Sequence, residues 1–191
     1  MRITFALVLV LAIGAAIVVA RQSDDESAAT GTGAVTLVGD SLNVGIEPFL
    51  AKELPGWRVD AHDRVGRATA EGVDELRALR RSLAPVVVVS LGTNDAEDSE
   101  ETFRTLVDDA IGVVGSNRCL IWATVVRDGA ERIGFDRVLR AASAAHPNVR
   151  LVDWATLVSD DPSLLAGDHV HGTPDGYARR AEETARAIRA C

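Results

Sequence analysis

The serine in Gly39-Asp40-Ser41-Leu42 sits where chemistry is possible. An apolar run, Ala34 to Val38, stops at Gly39, and a helical pattern begins just after Ser41. The serine therefore falls at the point where a buried strand turns into a helix. It can be a plain helix cap, since Ser is a favoured cap, or it can be a nucleophile. A serine hydroxyl is weak at neutral pH and needs a base within hydrogen-bond reach, and the base needs an orienting acid. Among the four histidines, His171 has Asp168 three residues before it, in a loop leading into the last predicted helix. That spacing lets the carboxylate fold back onto one imidazole nitrogen and leaves the other facing the serine. Acyl transfer also needs donors for the developing oxyanion, each worth about 2.7–4 kcal/mol by deletion in a well-studied protease. The candidates are the Ser41 N–H, the Gly66 N–H and the side-chain amide of Asn94 in Gly92-Thr93-Asn94-Asp95. Gly66 would let backbone approach closely with no side chain in the way.

The elements around these residues have to bring them together. Five apolar runs read as strands: 34–38, 57–61, 85–92, 119–126 and 149–153. Three are near-continuous rather than alternating, as expected of strands covered on both faces. Helical patterns lie between and after them, at 42–54, 70–83, 99–114, 134–145 and 174–190. Alternating strands and helices imply an α/β fold, a parallel five-stranded sheet with helices on both faces. Ligands in such folds bind beyond the carboxyl ends of the strands. The segments carrying Ser41, Gly66 and Asn94 follow strands, and the His171 loop precedes the last helix, so all four converge at one end of the sheet.

Taken in order, Gly39–Leu42 (GDSL), Gly66, Gly92–Asp95 (GTND) and Asp168–His171 (D-x-x-H) resemble the SGNH (GDSL-type) hydrolase superfamily over about residues 34 to 190. The resemblance implies a three-layer αβα sandwich with a flavodoxin-like sheet. It also implies Ser41 as nucleophile, His171 as base, Asp168 as its partner, and an oxyanion hole of Ser41, Gly66 and Asn94. It implies no cofactor and no metal. Within the superfamily, "RVGRAT" and "HPNVRLVDW" resemble the SGNH domains associated with cell-wall O-acetyltransferases. One apolar segment in these residues cannot carry acyl groups across a membrane. A transferase reading therefore implies an acyl donor from a membrane acyltransferase partner or a soluble ester. Hydrolysis of small acyl esters, on a free ester or an acylated saccharide, is the simpler expectation. A sugar O-acyltransferase with the same triad is the first alternative, and a non-catalytic cell-surface binding domain the second.

Composition excludes other classes. The chain has 191 residues, 47% hydrophobic, enough for one well-buried domain. With a net charge of -8 and 4% aromatics it is a poor match for a nucleic-acid backbone or for base stacking. Gly31-Thr32-Gly33 precedes a strand rather than following one, so it is no dinucleotide fingerprint. His169 and His171 with Asp168 would need a further zinc ligand, and only His62 or Asp95 is on offer. Trp122 and Trp154 read as core, and Trp57 as half exposed. Arg64, Arg67 and Arg127 flank strand ends, either to hold an anionic substrate group or simply solvated.

Residues 3 to 20 are uncharged and apolar, eighteen in a row. Such a length borders a signal peptide and a spanning anchor. Residues 1–20 are therefore expected to export the domain and either be removed or hold it at the membrane. Residues 21–33 are polar and small, the composition of a flexible linker to a domain at 34–191. Export allows the two cysteines, Cys119 and Cys191, to form a disulfide pinning the last helix to the sheet.

Overall fold

The three most apolar runs become the three inner strands of one sheet. In the computed structural model, which describes residues 32–95, 99–127 and 130–191 (for 130–133 the backbone only), these are β1 (Ala34–Gly39), β3 (Val86–Ser90) and β4 (Cys119–Ala123). The edges are β2 (Arg58–Ala61) and β5 (Val149–Val152), the order is β2-β1-β3-β4-β5, and every pairing is parallel. Six α-helices connect or follow them: α1 (Ser41–Glu53), α2 (Thr69–Leu79), α3 (Glu100–Val114), α4 (Ala130–Ala145), α5 (Trp154–Asp160) and α6 (Pro174–Arg189). This is the expected α/β architecture of a parallel five-stranded sheet between two helical layers. The expected anchor or signal at 1–20, and 21–31 of the linker, lie outside the described residues. Among the described residues no helix is long and apolar enough to cross a membrane.

Inner strands have no solvent face, so successive side chains enter different cores. Val86 and Val88 of β3 join Ile121 and Ala123 of β4 under α1 and α6, with Ile46, Leu50, Ala181, Ala185 and Ile188. Val87 and Val89, with Leu120 and Trp122, enter the core under α2, α3 and α4, among Val73, Leu76, Phe103, Val107 and Phe135. Phe103 stacks on Phe135 with ring centroids 4.1 Å apart. Fully burying one such side chain stabilises by roughly 1.5–3 kcal/mol. Trp122 and Trp154 are core residues and Trp57 is half-buried, as read from the sequence.

Local chemistry sets the element ends. The Ser99 hydroxyl accepts from the Thr102 N–H and starts α3, and the Thr173 hydroxyl accepts from Gly176 and starts α6 at Pro174. Helix α5 is an addition to the sequence reading. Its seven residues are too few to show a period, and Asp153 caps it by accepting from Thr156.

Cys119 and Cys191 are joined, with Cα atoms 5.9 Å apart. The bridge ties the chain two residues beyond α6 to the start of β4, at the end of the sheet opposite Ser41. Closing a loop across 72 residues stabilises by about 4 kcal/mol in the chain-entropy account. Reduction and alkylation should therefore lower the urea midpoint by the equivalent of a few kcal/mol. An unchanged midpoint would show that the link adds nothing to stability.

Candidate active site

Strand order reverses between β1 and β3, and the site is built at their carboxyl ends. Asp40 leaves β1 in extended backbone (φ -104°, ψ -156°), and its N–H donates to the Ser90 carbonyl at the end of β3 at 3.1 Å. Its Oδ1 accepts from the Leu42 N–H at 2.9 Å, so Asp40 is the cap of α1. Ser41 is the first helical residue instead, and its hydroxyl is free for another partner. That partner is His171, whose Nε2 lies 2.9 Å from Ser41 Oγ across 130 residues of sequence.

The loop before α6 supplies the other half. Asp168 Oδ2 lies 2.7 Å from His171 Nδ1, while Oδ1 accepts from the backbone N–H groups of His171 and Val170 at 3.0 and 3.1 Å. The hydrogen bond from the His171 ring, then those from the two backbone N–H groups, hold the Asp168 carboxyl down at about 2. Near neutral pH it is a carboxylate that can only accept, so Nδ1 carries a proton. In neutral His171, Nε2 then has its lone pair toward Ser41, and the serine hydroxyl donates. Asp168 and His171 are both open to solvent, with side chains 53% and 43% exposed. This half of the site is accordingly loop-built and open to solvent.

The three expected oxyanion donors differ in setting. The Ser41 N–H belongs to the first turn of α1, where amides have no intrahelical acceptor. Gly66 has φ +74°, a left-handed backbone that favours glycine, and among the described residues beyond its chain neighbours no atom lies within 4 Å of where a Cβ would stand. Asn94 follows Gly92, another left-handed glycine at φ +117°. Its Nδ2 donates to Asp40 Oδ2 at 3.1 Å and to the Arg67 carbonyl at 3.2 Å, which engages both amide protons. A substrate oxygen must share or replace one of those bonds to use the Asn94 amide.

One contributor, Arg180, was not legible in the sequence. Arg180 looks like a surface charge within "YARRAEE", yet it is 1% exposed. Its Nη2 donates to Ser90 Oγ at 2.7 Å and its guanidinium lies 5.3 Å from the Trp154 ring centre. Burial pushes Arg180 down to about 10, which leaves it cationic at neutral pH. Burial likewise pushes the Asp40 carboxyl up, opposed by the Leu42 N–H and the Arg180 charge. Asp95 braces α2 by accepting from the Thr69 N–H at 2.8 Å and from the Thr69 hydroxyl.

The other arginine and histidine candidates have settings of their own. Arg67 is neither solvated nor free for substrate. It is 7% exposed and donates to the Gly39 carbonyl at 3.4 Å and to the His62 carbonyl, bracing the loop that precedes Ser41. Arg64 pairs with Glu71 at 2.7 Å, and Arg127 donates to the Gly92 carbonyl at 3.5 Å. His62 lies between Asp60 and Glu75 at 3.3 and 3.5 Å. His169 is an exposed loop residue at φ 59°.

No family model matches the chain. It is 28% identical over 164 residues, 81% of its length, to peptidoglycan O-acetyltransferase OatA of Listeria monocytogenes, and it spans 24% of that relative's length. Among solved structures, the OatA C-terminal catalytic domain of Streptococcus pneumoniae with a methylsulfonyl adduct superposes with a TM-score of 0.66 at 19% identity, over 84% of this chain and 92% of that one. A lipolytic protein of the G-D-S-L family from Veillonella parvula superposes with a TM-score of 0.71 at 14% identity, over 84% of this chain and 100% of that one. The fold is that of the SGNH (GDSL-type) enzymes, in keeping with the resemblance read from the motif blocks.

Asp63, beside helix α1, is expected to give the fold a pH dependence. Asn43 of α1 donates to its Oδ1 at 3.1 Å. Burial first, with the nearby Glu47 carboxylate adding, pushes the Asp63 carboxyl up to about 7. Between pH 4 and 7 the unfolded chain releases this proton while the folded one keeps it, so stability falls as pH rises through that window. Asp63→Asn should be more stable than wild type at pH 8 by roughly 2–4 kcal/mol, with the gap closing toward pH 4. Urea unfolding at both pH values checks this, and a pH-independent gap would mean Asp63 is ionised in the fold.

Proposed function

We propose, from the SGNH-type fold and the Asp168–His171–Ser41 hydrogen-bond chain, that the domain is a serine enzyme of small acyl esters working through an acyl-enzyme. The observation that carries this reading is the 2.9 Å contact between Ser41 Oγ and His171 Nε2, with Asp168 at 2.7 Å on the far ring nitrogen. The Ser41 hydroxyl gives its proton to Nε2 as Oγ bonds the ester carbonyl carbon. The resulting imidazolium faces the Asp168 carboxylate, which stabilises it and holds the ring. The oxyanion is held by the Ser41 N–H, the Gly66 N–H and the Asn94 amide, the last by exchanging one of its two present acceptors. The carbonyl re-forms, the ester C–O bond breaks, and His171 protonates the departing alcohol. A second nucleophile then gives its proton to His171 as it attacks the acyl carbon, the bond from Ser41 Oγ to that carbon breaks, and His171 returns the proton to Oγ.

Water as that nucleophile makes the domain an esterase. A saccharide hydroxyl makes it an O-acyltransferase, and the similarity to peptidoglycan O-acetyltransferases favours this second reading for an acetyl group on a cell-wall sugar. The two share every step up to the acyl-enzyme. The disulfide supports an extracytoplasmic setting, with residues 1–20 as exporter or anchor and, on the transferase reading, a membrane acyltransferase or a soluble ester as the source of acyl groups.

The test is p-nitrophenyl acetate turnover by the full chain in mild detergent, beside Ser41→Ala, His171→Ala and Asp168→Asn. The first two should lose about 10⁴-fold or more in kcat/KM, and the third about 10³–10⁴-fold, with unchanged circular dichroism. Equal turnover in wild type and Ser41→Ala would overturn the mechanism. Adding a chitooligosaccharide then separates the readings: acetylated sugar marks a transferase, and acetate alone marks an esterase.

A further inference from the structure

Two glycines near the site have no backbone reason to be glycine. Gly45 lies inside α1, where glycine costs about 1 kcal/mol against alanine. Gly172 follows His171, and neither residue has a positive φ. Both are explained by one aromatic ring. A Cβ on Gly45 would stand 2.2 Å from Tyr177 Cε1 and 2.3 Å from Cζ, and one on Gly172 would stand 3.1 Å from Tyr177 Cγ and Cδ1. The ring of Tyr177 therefore touches the nucleophile helix with its outer edge and the histidine loop with its inner edge. Gly45 is one turn beyond Ser41 on the same helix face.

We propose that Tyr177 is a positioning residue, a rigid spacer that sets the distance between Ser41 and His171. The inference rests on the reading of those two residues as nucleophile and base. The ring is itself firmly placed. The Tyr177 N–H donates to the Thr173 carbonyl at 2.8 Å in the first turn of α6. That turn packs so tightly on the chain before it that a Cβ on Gly176 would stand 1.9 Å from the Leu164 carbonyl oxygen. The His171 loop closes on the same base, through Thr173 N–H to Leu164 carbonyl at 2.9 Å and Ala166 N–H to His171 carbonyl at 2.7 Å. Base and spacer thus move as one body, and the ring decides how near that body comes to α1. A misplacement of about 1 Å between reacting groups costs on the order of 10²-fold in rate.

The experiment measures kcat and KM for p-nitrophenyl acetate, and the rate at which a fluorophosphonate labels Ser41, in the full chain and its variants. Tyr177→Ala should lower kcat and the labelling rate together by about 10–100-fold, with KM within about 3-fold. Tyr177→Phe should keep both rates within about 3-fold of wild type, since the spacer is the ring and not the hydroxyl. Gly45→Ala, which displaces the ring without touching it chemically, should lower both rates like Tyr177→Ala and serves in its place if that variant does not fold. Turnover that survives in Ser41→Ala would remove the mechanism and this inference together. With the serine mechanism intact, unchanged kcat in folded Tyr177→Ala, or in Gly45→Ala where that replaces it, overturns the spacer alone. So does a Tyr177→Phe variant as slow as Tyr177→Ala.

Discussion

The Asp40 carboxyl group is buried where the sheet, helix α1 and the Asn94 loop meet. One oxygen caps α1 and the other accepts from Asn94, while the backbone N–H reaches the end of β3. Burying a carboxyl group is costly unless it is hydrogen-bonded and, when ionised, near an opposite charge. Here the compensation comes from the Leu42 N–H, the Asn94 amide and the cation of Arg180. Capping by Asp40 also leaves the Ser41 hydroxyl unspent, and only then can it meet His171. The adjacent aspartate and serine thus divide two tasks that one residue could not do at once.

The sheet gives this point its location. Five parallel strands demand crossovers, and the order β2-β1-β3-β4-β5 opens a crevice between the ends of β1 and β3. The two cores, one on each face, leave the inner strands no freedom to slip, since a shift by one residue would exchange their side chains between unlike cores. Helices α1 and α6 pack on the same face, so the serine at the start of one is brought near the loop before the other. The disulfide clamps the far end of α6 to β4, away from the chemistry. The same helix carries Tyr177 and Arg180 near its start, which makes α6 the element through which fold and site are joined.

Much was legible in the chain itself because it depends on near neighbours. Continuous valine runs mark inner strands, and the D-x-x-H spacing is enough for Asp168 to turn back on His171 through its own backbone hydrogen bonds. The order of GDSL, Gly66, GTND and D-x-x-H carried the resemblance, and the cysteine pairing followed from an even count. Less was legible where one property looks alike in different settings. Arg67 reads as solvated or as a holder of an anionic group and Arg180 has no distinguishing pattern, yet both are buried, because side-chain type does not report burial. The seven residues of α5 are too short to show a period. Gly66 and Gly45 are identical letters, yet one is required by a left-handed backbone and the other by a ring pressed against it.

By itself the sequence determined which groups exist and what their nearest chain neighbours make of them: strands, helices, the aspartate–histidine pair and the serine at a strand end. The tertiary structure alone decided that Ser41 and His171, 130 residues apart, come within 2.9 Å. It alone decided that Asn94 spends its amide on Asp40 and Arg67, and that Tyr177 lies between the two halves of the site. The reason is physical. Local patterns are set by backbone sterics and hydrogen bonds over a few residues, whereas these distances result from two cores closing on one sheet, which no single segment encodes.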